Sequence, residues 1–133
     1  METAIISPFA GLTNQEAFDR MLSHLRKQRQ PAVSDSGSCR YRTSAGLKCA
    51  VGALIPDDSY RGYFEVEPLE KVLRLLGSDD VDQADFLRAC QFQMHDNPSS
   101  YYDISTAYYM EKVEQGARDI AERFDLIYRE PAA

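Results

Sequence analysis

Apolar residues recur at helical spacing in four separate stretches of the chain. Phe18, Met21, Leu22 and Leu25 stand at i, i+3, i+4 and i+7, while Arg20, Arg26, Lys27 and Arg29 fall on the opposite face. Thr13-Asn14-Gln15-Glu16 reads as a capping box, and Pro31 disfavours helical backbone at Gln30, so the first helix is predicted over residues 14–29. Leu69, Val72, Leu73 and Leu76 give a second face, opened by Pro68 in the first turn and stopped by Gly77. Asp79 or Asp80 starts a third helix with Phe86, Leu87, Cys90 and Met94 on its apolar side, ending at His95-Asp96-Asn97-Pro98. The last helix is predicted to begin within residues 100–103 and to run to about Phe124, with Val113, Ala117, Ile120, Ala121 and Phe124 as its seam.

Between these stretches the period changes. Residues 3–6 read as a short edge strand in an extended lead-in, and residues 33–38, with Ser-Asp-Ser-Gly-Ser, as a loop. Cys39-Arg40-Tyr41-Arg42 alternates as a half-buried strand does; a turn at 43–46 and a return at 47–49 complete a small hairpin. Residues 50–55 suit a buried strand or a short helix; abundant Ala and few β-branched residues favour a short helix from near Lys48. Gly52 there marks close approach by another backbone or ring. Residues 57–66 form a loop that lays Tyr60, Tyr63 and Phe64 over the core, and residues 129–133 fray. The expected fold is α+β, mainly α: about four longer helices around a small β-hairpin and one short buried helix, in a single domain over residues 1–133.

Charge divides the chain. The net charge is −6, but residues 1–50 carry +3 and residues 51–133 carry −9. The acidic part repels phosphate, which disfavours direct nucleic-acid binding and suits a protein partner with a basic surface; solvated helix faces are the plainer account of the same acids. No apolar run reaches the length of a membrane span, and the first residues lack a basic segment and cleavage site. A cytoplasmic setting is expected, with the three cysteines reduced.

Cys49 precedes the short apolar run, where a helix N-terminus would favour its thiolate, and His95 with Asp96 would supply a base and an orienting carboxylate. A packed core thiol is the stronger reading of Cys49, and helix capping that of His95-Asp96. Cys39, Cys49, Cys90 and His95 offer zinc donors without a C-x₂-C knuckle, so no metal and no cofactor is expected. A Cys39–Cys49 disulfide suits the hairpin geometry but not the setting. Arg40-Tyr41-Arg42 with Lys48 could hold phosphate or a base, yet a solvated face pairing with C-terminal acids is favoured. Asp57-Asp58 and Asp79-Asp80-Asp82-Asp85 lack calcium-loop spacing and read as caps. Tyr101, Tyr102, Tyr108 and Tyr109 cannot all face one core, so some are expected at the surface beside acids such as Glu111 and Glu114.

Cys39, Tyr41 and Arg42, then Gly46-Leu47-Lys48-Cys49-Ala50-Val51-Gly52 and Leu54-Ile55-Pro56-Asp57, resemble the pattern of a family of small, mostly uncharacterised bacterial and phage proteins. The helix before it and the later His95-Asp96 look similar too. The resemblance is specific over residues 14–60, looser to about 97, and absent from the C-terminal helix. It implies a bacterial or phage origin and a cytosolic setting, and no reaction. The expected function is non-enzymatic protein binding, as a phage or mobile-element inhibitor or adaptor acting on a host or self protein. Its contact residues would be Tyr101, Tyr102, Tyr108, Tyr109, Glu111 and Glu114, with homodimerisation left open. The alternative is a small thiol enzyme using Cys49, His95 and Asp96.

Overall fold

The computed structural model describes residues 8–78, 80–100 and 105–131. Helix α1 spans Asn14–Gln28. The capping box forms as the sequence predicts: the Glu16 N–H donates to Thr13 Oγ1 and the Thr13 N–H to Glu16 Oε1, each at 3.1 Å. Ala17, Phe18, Met21, Leu22 and Leu25 are buried on the inner face. Helix α2, Leu69–Leu75, follows Pro68 and ends where Gly77 takes a φ of 88°. That left-handed turn lets the Ser78 N–H reach the Leu73 carbonyl at 2.8 Å, which caps the helix.

Helix α3, Val81–Gln91, starts on Asp80, whose carboxylate accepts the Gln83 N–H at 3.1 Å. It does not stop at His95-Asp96-Asn97-Pro98. It widens into a π turn over Phe92–Asp96 and continues as α4, Asn97–Ser99. The wider turn resets the register, so Pro98 occupies a first-turn position, where its missing N–H has no helical partner to lose. Helix α5, Thr106–Arg123, begins later than its sequence suggests, on Ser105, whose Oγ accepts the Tyr108 N–H at 3.0 Å. It buries Val113, Ala117, Ile120 and Ala121. It crosses the π turn so closely that a Cβ on Gly116 would lie 1.9 Å from the Gln93 carbonyl oxygen.

The expected hairpin does not form. Among the described residues there is no β-strand; the segment between α1 and residue 50 contains two isolated bridges, Val33↔Cys39 and Arg42↔Lys48. Two tight turns close them, with Gly37 and Gly46 each at a φ of 86°. The Arg42↔Lys48 bridge makes its two flanking bonds, Thr43 N–H to the Leu47 carbonyl and Cys49 N–H to the Tyr41 carbonyl. It does not extend, because the next pair is diverted: Glu65 takes the Tyr41 N–H and the Ala53 N–H takes the Cys49 carbonyl. The Glu65 carboxylate accepts the N–H groups of Tyr41 and Arg42 at 2.9 and 3.0 Å. The Gln28 amide pairs with both the N–H and the carbonyl of Lys48 at 2.9 Å. The fold of the described residues is therefore helical, not α+β. The edge strand expected at residues 3–6 lies outside the described residues.

The short buried helix is a 3-10 turn at Gly52–Leu54, and a second 3-10 turn covers Gly62–Val66. Gly52 marks a close backbone approach, as expected: a Cβ there would lie 2.2 Å from the Tyr41 carbonyl oxygen. Phe64 inserts into the core, while Tyr63 is exposed. Phe9, Phe18, Phe64, Phe86 and Tyr109 are its largest fully buried rings. No helix among the described residues is long and apolar enough to cross a membrane.

Candidate functional site

The π turn and the loop before it meet at one place. Cys39 comes from the first bridge, Tyr41 and Cys49 from the second loop, Gln91 from the end of α3, and His95 and Asp96 from the π turn. They surround or line a cavity of about 470 Å³ that opens between residues 65–69 and Phe92. Residues of the Cys39 to Asp57 pattern and the His95-Asp96 pair thus converge in space. A π turn is a common way to re-aim side chains at a site.

His95 is fully buried. Its Nε2 accepts the Ala32 N–H at 2.9 Å, which assigns the ring proton to Nδ1. Nδ1–H donates to Asp96 Oδ1 at 3.0 Å, and the Gln91 amide donates to the same oxygen at 2.8 Å. Burial by itself would raise the Asp96 pKa; the His95 and Gln91 donors, with the Cys39 thiol, outweigh it and hold the carboxyl below its ordinary value. Asp96 is thus ionised. It has no Lys or Arg within salt-bridge distance among the described residues.

The thiols are poor nucleophiles. Burial, then the Asp96 charge, pushes Cys39 up to about 11. Cys49 is buried, and its Sγ accepts the Gly52 N–H at 3.2 Å; loss of solvation raises its pKa far above the ordinary thiol range. Burial does the same to Cys90. The Cys49, His95 and Asp96 arrangement weighed from sequence is therefore not a nucleophile–base pair. His95 bonds to Asp96, but both its ring nitrogens are committed, and Cys49 keeps its proton.

Among the described residues, the donor atoms that come within 4.8 Å of one another belong to Cys39, His95 and Asp96, in place of the Cys39, Cys49, Cys90 and His95 set. These three do not suit a metal. Ligation through His95 Nδ1 would move the ring proton to Nε2, against the Ala32 N–H.

The remaining polar residues of the segment brace it. Arg42 donates to the Ile55 carbonyl at 2.5 Å, pairs with Asp57 at 2.8 Å and lies over the Tyr60 ring at 4.7 Å. The Tyr60 hydroxyl donates to Glu65 at 2.5 Å. Gln91 also accepts the Val51 N–H at 2.9 Å, joining the 3-10 turn to Asp96. Gln28, Glu65 and Gln91 carry no sequence signal for these roles: each is a polar residue on a helix or loop that acts on backbone groups 20 to 40 positions away.

The expected contact residues on α5 separate. Tyr109 is fully buried. Glu114 faces α1, where Arg26 binds both its oxygens at 2.7 and 2.8 Å and the Tyr128 hydroxyl donates at 2.6 Å. Tyr108 is half-buried with Lys112 over its ring at 5.2 Å, and Glu111 is exposed. Tyr101 and Tyr102 lie outside the described residues. A wider groove of about 670 Å³ runs between α1 and α5, but Phe18, Leu22 and Met110 on its floor are already packed. Comparison with protein-family models, with curated proteins and with solved structures gives no match.

Proposed function

We propose that this chain is a non-enzymatic protein-binding protein, whose contact face surrounds the cavity between Phe92 and residues 65–69. One observation carries the reading. The cavity gathers charged carboxylates, thiols that keep their protons and the exposed Phe92 ring, and the one imidazole beside it, His95, has both ring nitrogens committed. Phe92, in the lining, is 54 % exposed, and Val66, next in sequence to the lining residues Glu65 and Glu67, is 83 % exposed. Large apolar side chains beside a concavity are what a partner surface covers. Glu67 and Asp96 line the same cavity and suit a partner with a basic surface. This face takes the place of the α5 residues, of which Tyr109 and Glu114 serve internal packing. A host protein as target and an inhibitor role are part of the proposal, from the −9 charge of residues 51–133 and the bacterial or phage origin that the resemblance implies.

Site-specific photo-crosslinking tests it. A benzoylphenylalanine at position 92 is expected to capture one protein, or a second copy of this chain, while the same probe at Ile127 is not. The complex remade from purified components should weaken on Glu67→Lys. Equal capture from both positions, or a complex indifferent to Glu67→Lys, refutes the reading.

A further inference from the structure

Among the described residues the Asp96 carboxylate has no Lys or Arg counter-ion. Both nitrogen donors that reach it, from Gln91 and His95, end on Oδ1. Oδ2 receives no nitrogen donor among the described residues, and the side chain keeps 36 % of its surface open on the cavity. The neighbouring cations are committed elsewhere. Arg88 is held by Glu70 and Asp85, and Arg40 leans on Glu65 at 3.8 Å and on the Arg42 carbonyl. Glu67 carries Lys71 at 3.1 Å. Tyr41, Phe92 and Leu69 line the same cavity as the carboxylate.

A half-buried anion in a cavity lined by two aromatic residues has a defined complement. A planar guanidinium is weakly hydrated, stacks on a ring and donates to a carboxylate at once; an ammonium holds its water more tightly and cannot stack. We infer that this cavity receives an arginine side chain of the protein partner, its guanidinium donating to Asp96 Oδ2 and stacking on Phe92. The inference rests on the protein-binding reading above and adds the residue type that the cavity selects. Asp96 is already partly desolvated and held in place by Gln91 and His95, so the incoming cation meets a fixed anion rather than one it must order. The Cys39 thiol beside the same carboxylate keeps its proton and adds no charge of its own.

The probe is N-acetyl-arginine amide, titrated into the full chain and followed by amide and side-chain NMR shifts. Saturable shifts are expected at Asp96, Phe92 and Tyr41. N-acetyl-citrulline amide, of the same shape without the charge, should bind at least about tenfold more weakly, the size of a charge-assisted hydrogen bond. Asp96→Asn keeps an acceptor for Gln91 and His95 and should lose about the same factor. Phe92→Ala, at an exposed position, should reduce arginine binding without unfolding the chain. Absence of saturable shifts, equal affinity for citrulline, or unchanged binding in both variants overturns the inference. If crosslinking from position 92 persists in that case, the contact face stands and only the arginine is wrong.

Discussion

Replacing Glu65 with alanine should cost far more than an ordinary loop substitution. The carboxylate, nearly closed off from solvent, accepts the Tyr41 and Arg42 N–H groups and the Tyr60 hydroxyl. A hydrogen bond to a charged acceptor contributes about 1.5–3 kcal/mol, so the two backbone bonds together amount to about 3–6 kcal/mol. Water entering the vacated space returns part of this, and we expect a net loss of about 3 kcal/mol, or a fall in Tm of about 10 °C for a domain of this size. Glu65→Gln keeps one acceptor oxygen but turns an NH₂ toward the other N–H, so its loss should be about 2 kcal/mol. Urea unfolding followed by circular dichroism measures both. The local readout is the Tyr41 and Arg42 amides, which should move upfield and exchange faster in the alanine variant while α5 amides stay protected. A loss below about 1 kcal/mol, the range of an ordinary substitution, would show that Glu65 does not hold this loop in place of a strand partner.

Gly116→Ala should be poorly tolerated, because its Cβ would meet the Gln93 carbonyl oxygen of the π turn at 1.9 Å; a loss of at least about 3 kcal/mol is expected in a thermal melt. Gly62→Ala, with no atom within 4 Å of the added Cβ, should be neutral or stabilising by about 0.5 kcal/mol, and equal effects at the two glycines would contradict the packing. Glu114 gives a pH signature. Burial alone would raise its carboxyl, but the hydrogen bonds from Arg26 and Tyr128 hold it below the ordinary value of 4.5. The stability it adds is therefore present above that value and lost as pH falls beneath it. Stability measured from pH 6 downward should fall more steeply in the parent protein than in Glu114→Gln, and parallel curves would refute the coupling.

What the sequence determined by itself is local and periodic. The four helical faces, the Thr13–Glu16 capping box, the stop at Gly77 and the close approach at Gly52 follow from spacing and backbone chemistry within a few residues. What only the tertiary structure decided depends on partners far along the chain. Cys39-Arg40-Tyr41-Arg42 alternates as a strand would, yet Glu65 takes the Tyr41 N–H and the Ala53 N–H takes the Cys49 carbonyl, the pair that a longer ladder needs. His95-Asp96-Asn97-Pro98 reads as a helix end, yet a π turn packed against Gly116 carries the helix through it. Tyr109 and Glu114 read as surface contacts by their number and charge, but the core and Arg26 claim them. In the candidate site, His95 and Asp96 were legible as a pair. That Cys39 joins them rather than Cys49, and that the His95 ring is locked by the Ala32 N–H, is set by the fold, because a backbone donor has no side-chain signature in sequence.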